Sequence, residues 1–360
     1  MEQIDEGLIA SFPPSESSAT RMVQSNASNL RIDDIRPDAV MTNHAAAVMK
    51  DVEWLKARSH LFQPVPCPAC GTDRPQRLYV KHGTQHNRCP ECATQYVSPR
   101  APEALLIDFY AESENAKYWA AHIYPTAQDT RRKRLFGPRA KIAADLAAKY
   151  GFQGGVLVEV GAGYGMFCKE AEATGAFRRI IGIEPEKGLA ETCASPGVEV
   201  IAEGYEFAQF DEKPNMIVCF EVIEHLHDPH KFMQWCADKL APGGVVMLTT
   251  PNGAGFETTT LAERSHTIDH QHINLLNPKS IAQLARRVGF AEVEVTTPGQ
   301  FDVELVRRAF AEGRVTADVL GPFLTFLARD ADEATCNAFQ QFLRDTGLSS
   351  HMRMIARMGQ

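Results

Sequence analysis

A doubly wound, Rossmann-like α/β fold of seven strands, preceded by a small cysteine-rich module, is the architecture the sequence predicts. Three observations predict it. Seven short apolar runs alternate with helical stretches from residue 155 onward, a glycine-rich turn follows the first run, and two CxxC pairs lie upstream.

The runs are VLVEV (156–160), RIIGIE (179–184), VEVIA (198–202), MIVCFEV (216–222), VVMLTT (245–250), VEVTT (293–297) and HMRMIARM (351–358). Parallel strands covered on both faces read as continuous Val/Ile-rich runs, and helices between them indicate βαβ units. Residues 301–350 look helical, a long insertion before the last run. Residues 101–150 read as a helical linker, closed by Gly151 in the usual helix-ending position. Residues 1–42, rich in Ser, Pro, Asn and Asp, are expected to be a flexible tail, and 43–63 a helix. The cysteine module spans 64–100 between prolines, and the main α/β domain 151–360.

The chain has 360 residues with a formal charge of −8. Residues 151–300 hold 20 acidic against 11 basic side chains, which argues against a nucleic-acid partner. The basic run Arg131, Arg132, Lys133, Arg134, with Arg139 and Lys141, reads as a solvated helix face. No apolar stretch reaches the ~18–20 residues of a membrane span. An acidic N-terminus without an apolar core and nine cysteines, an odd count, predict a reduced, cytoplasmic protein.

Cys67-Pro-Ala-Cys70 and Cys89-Pro-Glu-Cys92 are separated by 18 residues. This is the spacing of a closed, tetrahedral, structural Zn²⁺ site, here a zinc ribbon. His82 and His86 lie between the pairs and are not needed as ligands. So short a segment has little core, so metal binding is expected to supply its folding energy.

The turn reads Glu159-Val160-Gly161-Ala162-Gly163-Tyr164-Gly165. A dinucleotide site needs GxGxxG, and its third position is Met166, so a pyrophosphate site fits poorly. Glu184, followed by Pro185, ends the second strand. An acid there can accept hydrogen bonds from both hydroxyls of a ribose. Turn and acid together predict a nucleoside site.

Ligands of open α/β sheets sit at the carboxyl ends of the strands. Phe220 and Glu221 end the fourth strand. Glu221, Glu224 and His225 follow at i, i+3 and i+4 and would share one face of a helical turn. The triplet suits acid–base work, a divalent metal, or a structural turn with His225 hydrogen-bonded in place. The loop after the fifth strand carries His266, Asp269, His270 and His272, of which His266 and His270 read as exposed.

The turn, FEVIEHLHDP (220–229) and LAPGGVVMLTTPN (240–252) together resemble class I S-adenosylmethionine-dependent methyltransferases over about residues 105–300. The branch they are most similar to includes ubiquinone-type O-methyltransferases and sugar methyltransferases. The resemblance implies S-adenosylmethionine as cofactor and a seven-stranded methyltransferase sheet. Glu159, Gly161, Ala162 and Gly163 would meet its methionine part, Glu184 and Pro185 its ribose, and Phe220 and Glu221 its sulfonium. The 203–205 turn would flank adenine. Gly204 stands where an Asp is common, so the backbone or Tyr205 would make that contact. Tyr118, in AKYWA, matches a helix that covers the cofactor. Some members are metal-assisted, which keeps a second divalent metal at Glu221, Glu224 and His225 in play. His272 to Pro278 matches a His-x-x-x-x-x-Pro signature. A hydroxyl acceptor needs its proton removed, and His272 is the first choice of base, ahead of His225 and Glu221.

The expected acceptor is a hydroxyl or amine of a small molecule: a sugar, a surface-glycan precursor or a related metabolite. YVSPR leading into FYAESENAKYWA resembles the cysteine-rich front of sugar-pathway methyltransferases. The ribbon is expected to pack on the active-site mouth or on the partner of a homodimer. Two alternatives are an RNA methyltransferase gripping its substrate with the ribbon and a non-catalytic binding protein on the same frame. The presence of Glu159, the glycines and Glu184 speaks against the latter.

Overall fold

A computed structural model describes residues 30–41 and 43–359. The first 29 residues of the expected tail lie outside the described residues. The rest of that stretch departs from the expectation. Short helices α1 (Ile32–Ile35) and α2 (Asp38–Met41) form there, with Ile32 and Ile35 only 4% and 5% exposed. Two isoleucines one helical turn apart are too short a pattern for periodicity to register, but they give the segment an apolar face to bury.

Helix α3 (His44–Ala57) leads into the cysteine module, whose strands are β1 (Gln76–Lys81), β2 (Thr84–Arg88) and β3 (Gln95–Val97). Helices α4 (Glu103–Glu112), α5 (Glu114–Tyr118), α6 (Tyr124–Arg131) and α7 (Gly137–Tyr150) follow, with single π-helical turns at Trp119–Ile123 and Arg132–Phe136. Gly151 closes α7 at φ 74°.

The main sheet begins with β4 (Gly155–Val160), α8 (Met166–Ala173), β5 (Phe177–Ile183), α9 (Lys187–Cys193) and β6 (Glu199–Ile201). It continues through β7 (Met216–Phe220), α10 (Pro229–Lys239), β8 (Val245–Pro251), α11 (Phe256–Leu261), β9 (Asn274–Leu275), α12 (Pro278–Arg287) and β10 (Phe290–Thr296). Helices α13 (Asp302–Ala311), α14 (Ala317–Arg329) and α15 (Glu333–Asp345) make the insertion before β11 (His351–Met358).

The seven-stranded sheet has the order β10-β11-β8-β7-β4-β5-β6. Strands β8 to β6 are parallel, and β11 runs antiparallel between β8 and β10. This is the doubly wound, Rossmann-like arrangement with one reversed strand slotted in. Alternate residues of β4 explain why its run looks uniformly apolar. Val156, Val158 and Val160 pack toward α10 and α12, while Leu157 packs toward α7 and α8. No helix among the described residues is long and apolar enough to cross a membrane.

The cysteine module is fused to this frame. Strand β3 pairs antiparallel with β9, matching Gln95 to Leu275 and Tyr96 to Asn274. Cys67, Cys89, Cys92 and Tyr96 share one apolar cluster with Ile281, Leu284 and Ala285 of α12. Asn277 Nδ2 donates to the Cys92 carbonyl at 2.9 Å, and Arg100 Nη1 to Asn274 Oδ1 at 2.7 Å.

Candidate functional site

Sharp turning at the end of β4 requires the glycines. Gly161, Gly163 and Gly165 have φ of 75°, 51° and 67°, a region that favours glycine. A Cβ on Gly161 would stand 2.6 Å from Val222 Cγ2, and one on Gly165 2.9 Å from Cys193 Sγ, whereas nothing lies within 4 Å of that position at Gly163. Gly161 and Gly165 let chain meet chain; Gly163 leaves open space.

Glu184 faces that space. Its Oε2 accepts the Gly163 amide at 2.8 Å and its Oε1 the Glu186 amide at 3.0 Å. Burial raises the pKa of this carboxyl, opposed by those two N–H donors. Glycine cradle and carboxylate fit the nucleoside of S-adenosylmethionine. Glu159 lies deeper. Its carboxyl, 2% exposed, accepts from Cys168 Sγ at 3.0 Å beneath α8, and burial holds its pKa well above the usual range.

Two residues expected to contact the cofactor have protein partners. The Tyr205 ring is 8% exposed and sits edge-on to Phe232 at 5.1 Å, inside the core rather than beside an adenine. The apolar residues of α10 claim it. Tyr118 donates its hydroxyl to the Val40 carbonyl and faces His44 and His122. Tyr124 stacks at a tilt against Tyr164 of the glycine turn, 5.3 Å between ring centroids.

At the end of β7, Glu221 adopts φ 56°, a conformation uncommon for a side-chain-bearing residue. Its Oε1 accepts from Thr249 Oγ1 at 2.6 Å, His351 Nε2 at 2.8 Å and Arg139 Nη2 at 3.3 Å. Burial alone would raise its pKa; His351 and Arg139 more than offset that and keep it ionised. Arg139 is therefore not on a solvated face. Its side chain is 16% exposed and its guanidinium lies 4.8 Å over Phe220.

The triplet after β7 does not share one face. Ile223–His225 is a tight 3₁₀ turn that points Glu221 toward Arg139 and leaves Glu224 and His225 together. His272 joins them instead of Glu221: a ligand atom from each of Glu224, His225 and His272 lies within 4.8 Å of the other two. Glu224 is 0% exposed; Oε2 accepts from Thr250 Oγ1 at 3.0 Å, and Oε1 has no hydrogen-bond partner among the described residues. Burial, then the nearby Glu221 charge, raises its pKa well above normal. His225 faces Tyr110 Oη at 3.2 Å, and burial plus the neighbouring His272 lower its pKa to about 3.

His272 Nδ1 lies 2.7 Å from the Thr267 carbonyl. A carbonyl only accepts, so Nδ1 carries a proton, and in the neutral imidazole the lone pair is on Nε2. Asp269 Oδ1 accepts the His272 amide at 2.8 Å. Burial would raise the Asp269 pKa, but His272 and His270 lower it to about 2. His270, expected to be exposed, is 4% exposed and pairs with Asp51 at 3.4 Å; His266 is exposed. Sequence reasoning missed Tyr110, His351 and the Asp51–His270 pair, whose partners are remote in the chain.

In the ribbon, Cys67 Sγ lies 3.5 Å from Cys92 Sγ and Cys70 Sγ 3.4 Å from Cys89 Sγ, all four within 4.8 Å of one another. Thiolates about 2.3 Å from a tetrahedral ion would stand roughly 3.8 Å apart, so the donor set fits zinc.

Residues 129–295 match the family model described as a methyltransferase domain. A ubiquinone biosynthesis O-methyltransferase of Thiobacillus denitrificans is 27% identical over 177 residues, 46% of this chain and 72% of that protein. One from Cereibacter sphaeroides is 26% identical over 208 residues, 50% of this chain and 79% of that protein. Among solved structures, Haemonchus contortus phosphoethanolamine N-methyltransferase 2 aligns at a TM-score of 0.46 and 17% identity, covering 74% of this chain and 62% of that one. The fold rests on the strand order, not on that alignment. These matches place an S-adenosylmethionine-dependent methyltransferase domain over residues 129–295, on the doubly wound sheet.

Proposed function

We propose that the acceptor is a small molecule, a sugar, surface-glycan precursor or related metabolite, methylated on a hydroxyl with His272 as the base. The lone pair left on His272 Nε2 by the Nδ1–Thr267 hydrogen bond carries this reading. S-adenosylmethionine supplies a methyl on a cationic sulfur. The chain's task is to position the acceptor and hold the proton that leaves its oxygen. Glu184 and the backbone at 161–163 would hold the nucleoside. Glu221, fixed by Arg139 and His351, offers a carboxylate at the strand end that Phe220 shares. The orphaned Glu224 Oε1 favours a second reading, a divalent ion held by Glu224, His225 and His272. That ion would occupy the same lone pair, so the two readings exclude each other. The four cysteines hold a structural zinc in this proposal.

The test is release of S-adenosylhomocysteine by the purified chain across nucleotide sugars and glycan fragments, wild type beside His272→Ala. Turnover by the wild type and loss in the variant support the reading. Normal turnover by His272→Ala removes the base assignment.

A further inference from the structure

We propose that Arg36 and Arg131 form an anchor for an oxyanion, a carboxylate or a phosphate, carried by the acceptor. Both guanidinium groups lie over one indole, Arg36 at 5.3 Å and Arg131 at 6.0 Å from the Trp119 ring centroid. Arg131 also lies 5.2 Å over Tyr124. Two like charges on one ring repel unless an anion stands between them.

Neither is neutralised by a described residue. Among the described residues no acidic side chain comes within ion-pair distance of Arg36 or Arg131. Arg36, exposed as a residue, makes no side-chain hydrogen bond among them; burial of its charged end, then the Arg131 charge, lowers its pKa, and Glu221 and Asp269 oppose that. Those two carboxylates are already engaged: Glu221 with Arg139, His351 and Thr249, and Asp269 with the amides of Gln271 and His272. Arg131 donates Nη1 to the Ile35 carbonyl at 3.2 Å, while its Nε is buried and unpartnered. The Arg36 fork, and the Arg131 N–H groups other than the one given to Ile35, therefore have no acceptor among the described residues.

The elements presenting them are fixed. The Ile32 amide donates to both oxygens of Glu304 at 3.1 Å, and Arg308 pairs with Asp38 at 2.7 Å, so the insertion holds the segment carrying Arg36. Trp119 Nε1 donates to His44 Nε2 at 3.1 Å. An apolar ring flanked by two cations suits an anion attached to a flat or sugar-like body.

The inference rests on the small-molecule reading, and its test is separate from turnover. The full chain, loaded with S-adenosylhomocysteine, is titrated with inorganic phosphate and with benzoate at constant ionic strength, following tryptophan emission. The wild type should show a saturable change with at least one anion, and which one identifies phosphate or carboxylate. Arg36→Gln and Arg131→Gln should weaken it by roughly tenfold or more, Arg36→Lys less. S-adenosylhomocysteine affinity should stay unchanged in every variant, which also reports that each has folded. The proposal is overturned if neither anion gives saturation, or if the variants respond like the wild type. It is equally overturned if Arg36→Gln weakens S-adenosylhomocysteine tenfold, since the pair would then serve the cofactor's own carboxylate. Failure of the proposed function would show instead in His272→Ala turnover.

Discussion

His272 Nδ1 lies 2.7 Å from the carbonyl oxygen of Thr267, five residues earlier in the same loop. The loop thereby sets the tautomer of its own histidine. Removing the imidazole should lower turnover by about 10²–10⁴-fold, the usual worth of a general base, and leave S-adenosylhomocysteine affinity within twofold. Calorimetry beside a product-release assay checks both halves.

That loop is braced by the ribbon. It runs from Ser265, whose carbonyl accepts Lys81 Nζ at 2.6 Å, to Asn274 and Leu275, which pair with β3. Stripping the metal, or Cys67→Ser, should unfold the cysteine knuckles, release β9 and depress turnover together with the melting temperature. One zinc per chain by elemental analysis is the accompanying expectation. A Cys67→Ser protein with normal turnover would uncouple ribbon from loop.

Which of these relationships could be read from the sequence follows from their range. The strands of the main sheet are buried on both faces, so β4 and β7 appear as unbroken apolar runs. The glycine turn is local, and so are the CxxC knuckles. His351 meets Glu221 across 130 residues and Arg139 meets it across 82, and no local pattern records either contact. The resemblance implies an adenine contact for Tyr205, and no local pattern records that Phe232 and Trp235 of α10 pack against its ring. The two-residue β9 exists only because β3 pairs with it.

Gly163 and Gly161 should respond differently to substitution. At Gly163 a side chain enters open space, so Gly163→Arg bears the strain of φ 51° without a clash and should still fold and fill the cradle, abolishing S-adenosylhomocysteine binding. At Gly161 even Ala meets Val222 Cγ2 at 2.6 Å with φ 75°. Gly161→Ala should lose stability as well as affinity, by about 1–3 kcal/mol, as overpacked or left-handed positions do. Thermal melts with and without S-adenosylhomocysteine separate the two effects.

Glu224→Gln distinguishes the base from the metal. A carboxyl whose pKa is raised by burial is stabilised in its neutral form, and Gln is a neutral isostere. With His272 as base, the variant should keep turnover within about tenfold, since Gln also preserves an acceptor for Thr250. A loss beyond a hundredfold, with wild-type activity rising on added Mn²⁺ and variant activity unmoved, would assign a divalent ion to Glu224, His225 and His272.

His86 makes stability depend on mildly acidic pH. The side chain is buried, its Nε2 has no partner among the described residues, and burial, then the Lys81 charge, lowers its pKa to about 4. The unfolded chain binds this proton near pH 6.5, whereas the folded chain resists it until about pH 4. Between those values the unfolded state holds more protons, so stability falls as pH falls; above pH 6.5 the group contributes no slope. The full effect is on the order of 3 kcal/mol at ~1.4 kcal/mol per pKa unit. Phe at this position keeps a flat ring against Tyr79, which lies 5.2 Å away, and cannot titrate. Denaturant midpoints at pH 7.5, 6 and 5 should fall faster for the wild type than for His86→Phe, and parallel curves would mean that the imidazole reaches a proton-accepting partner in the folded ribbon.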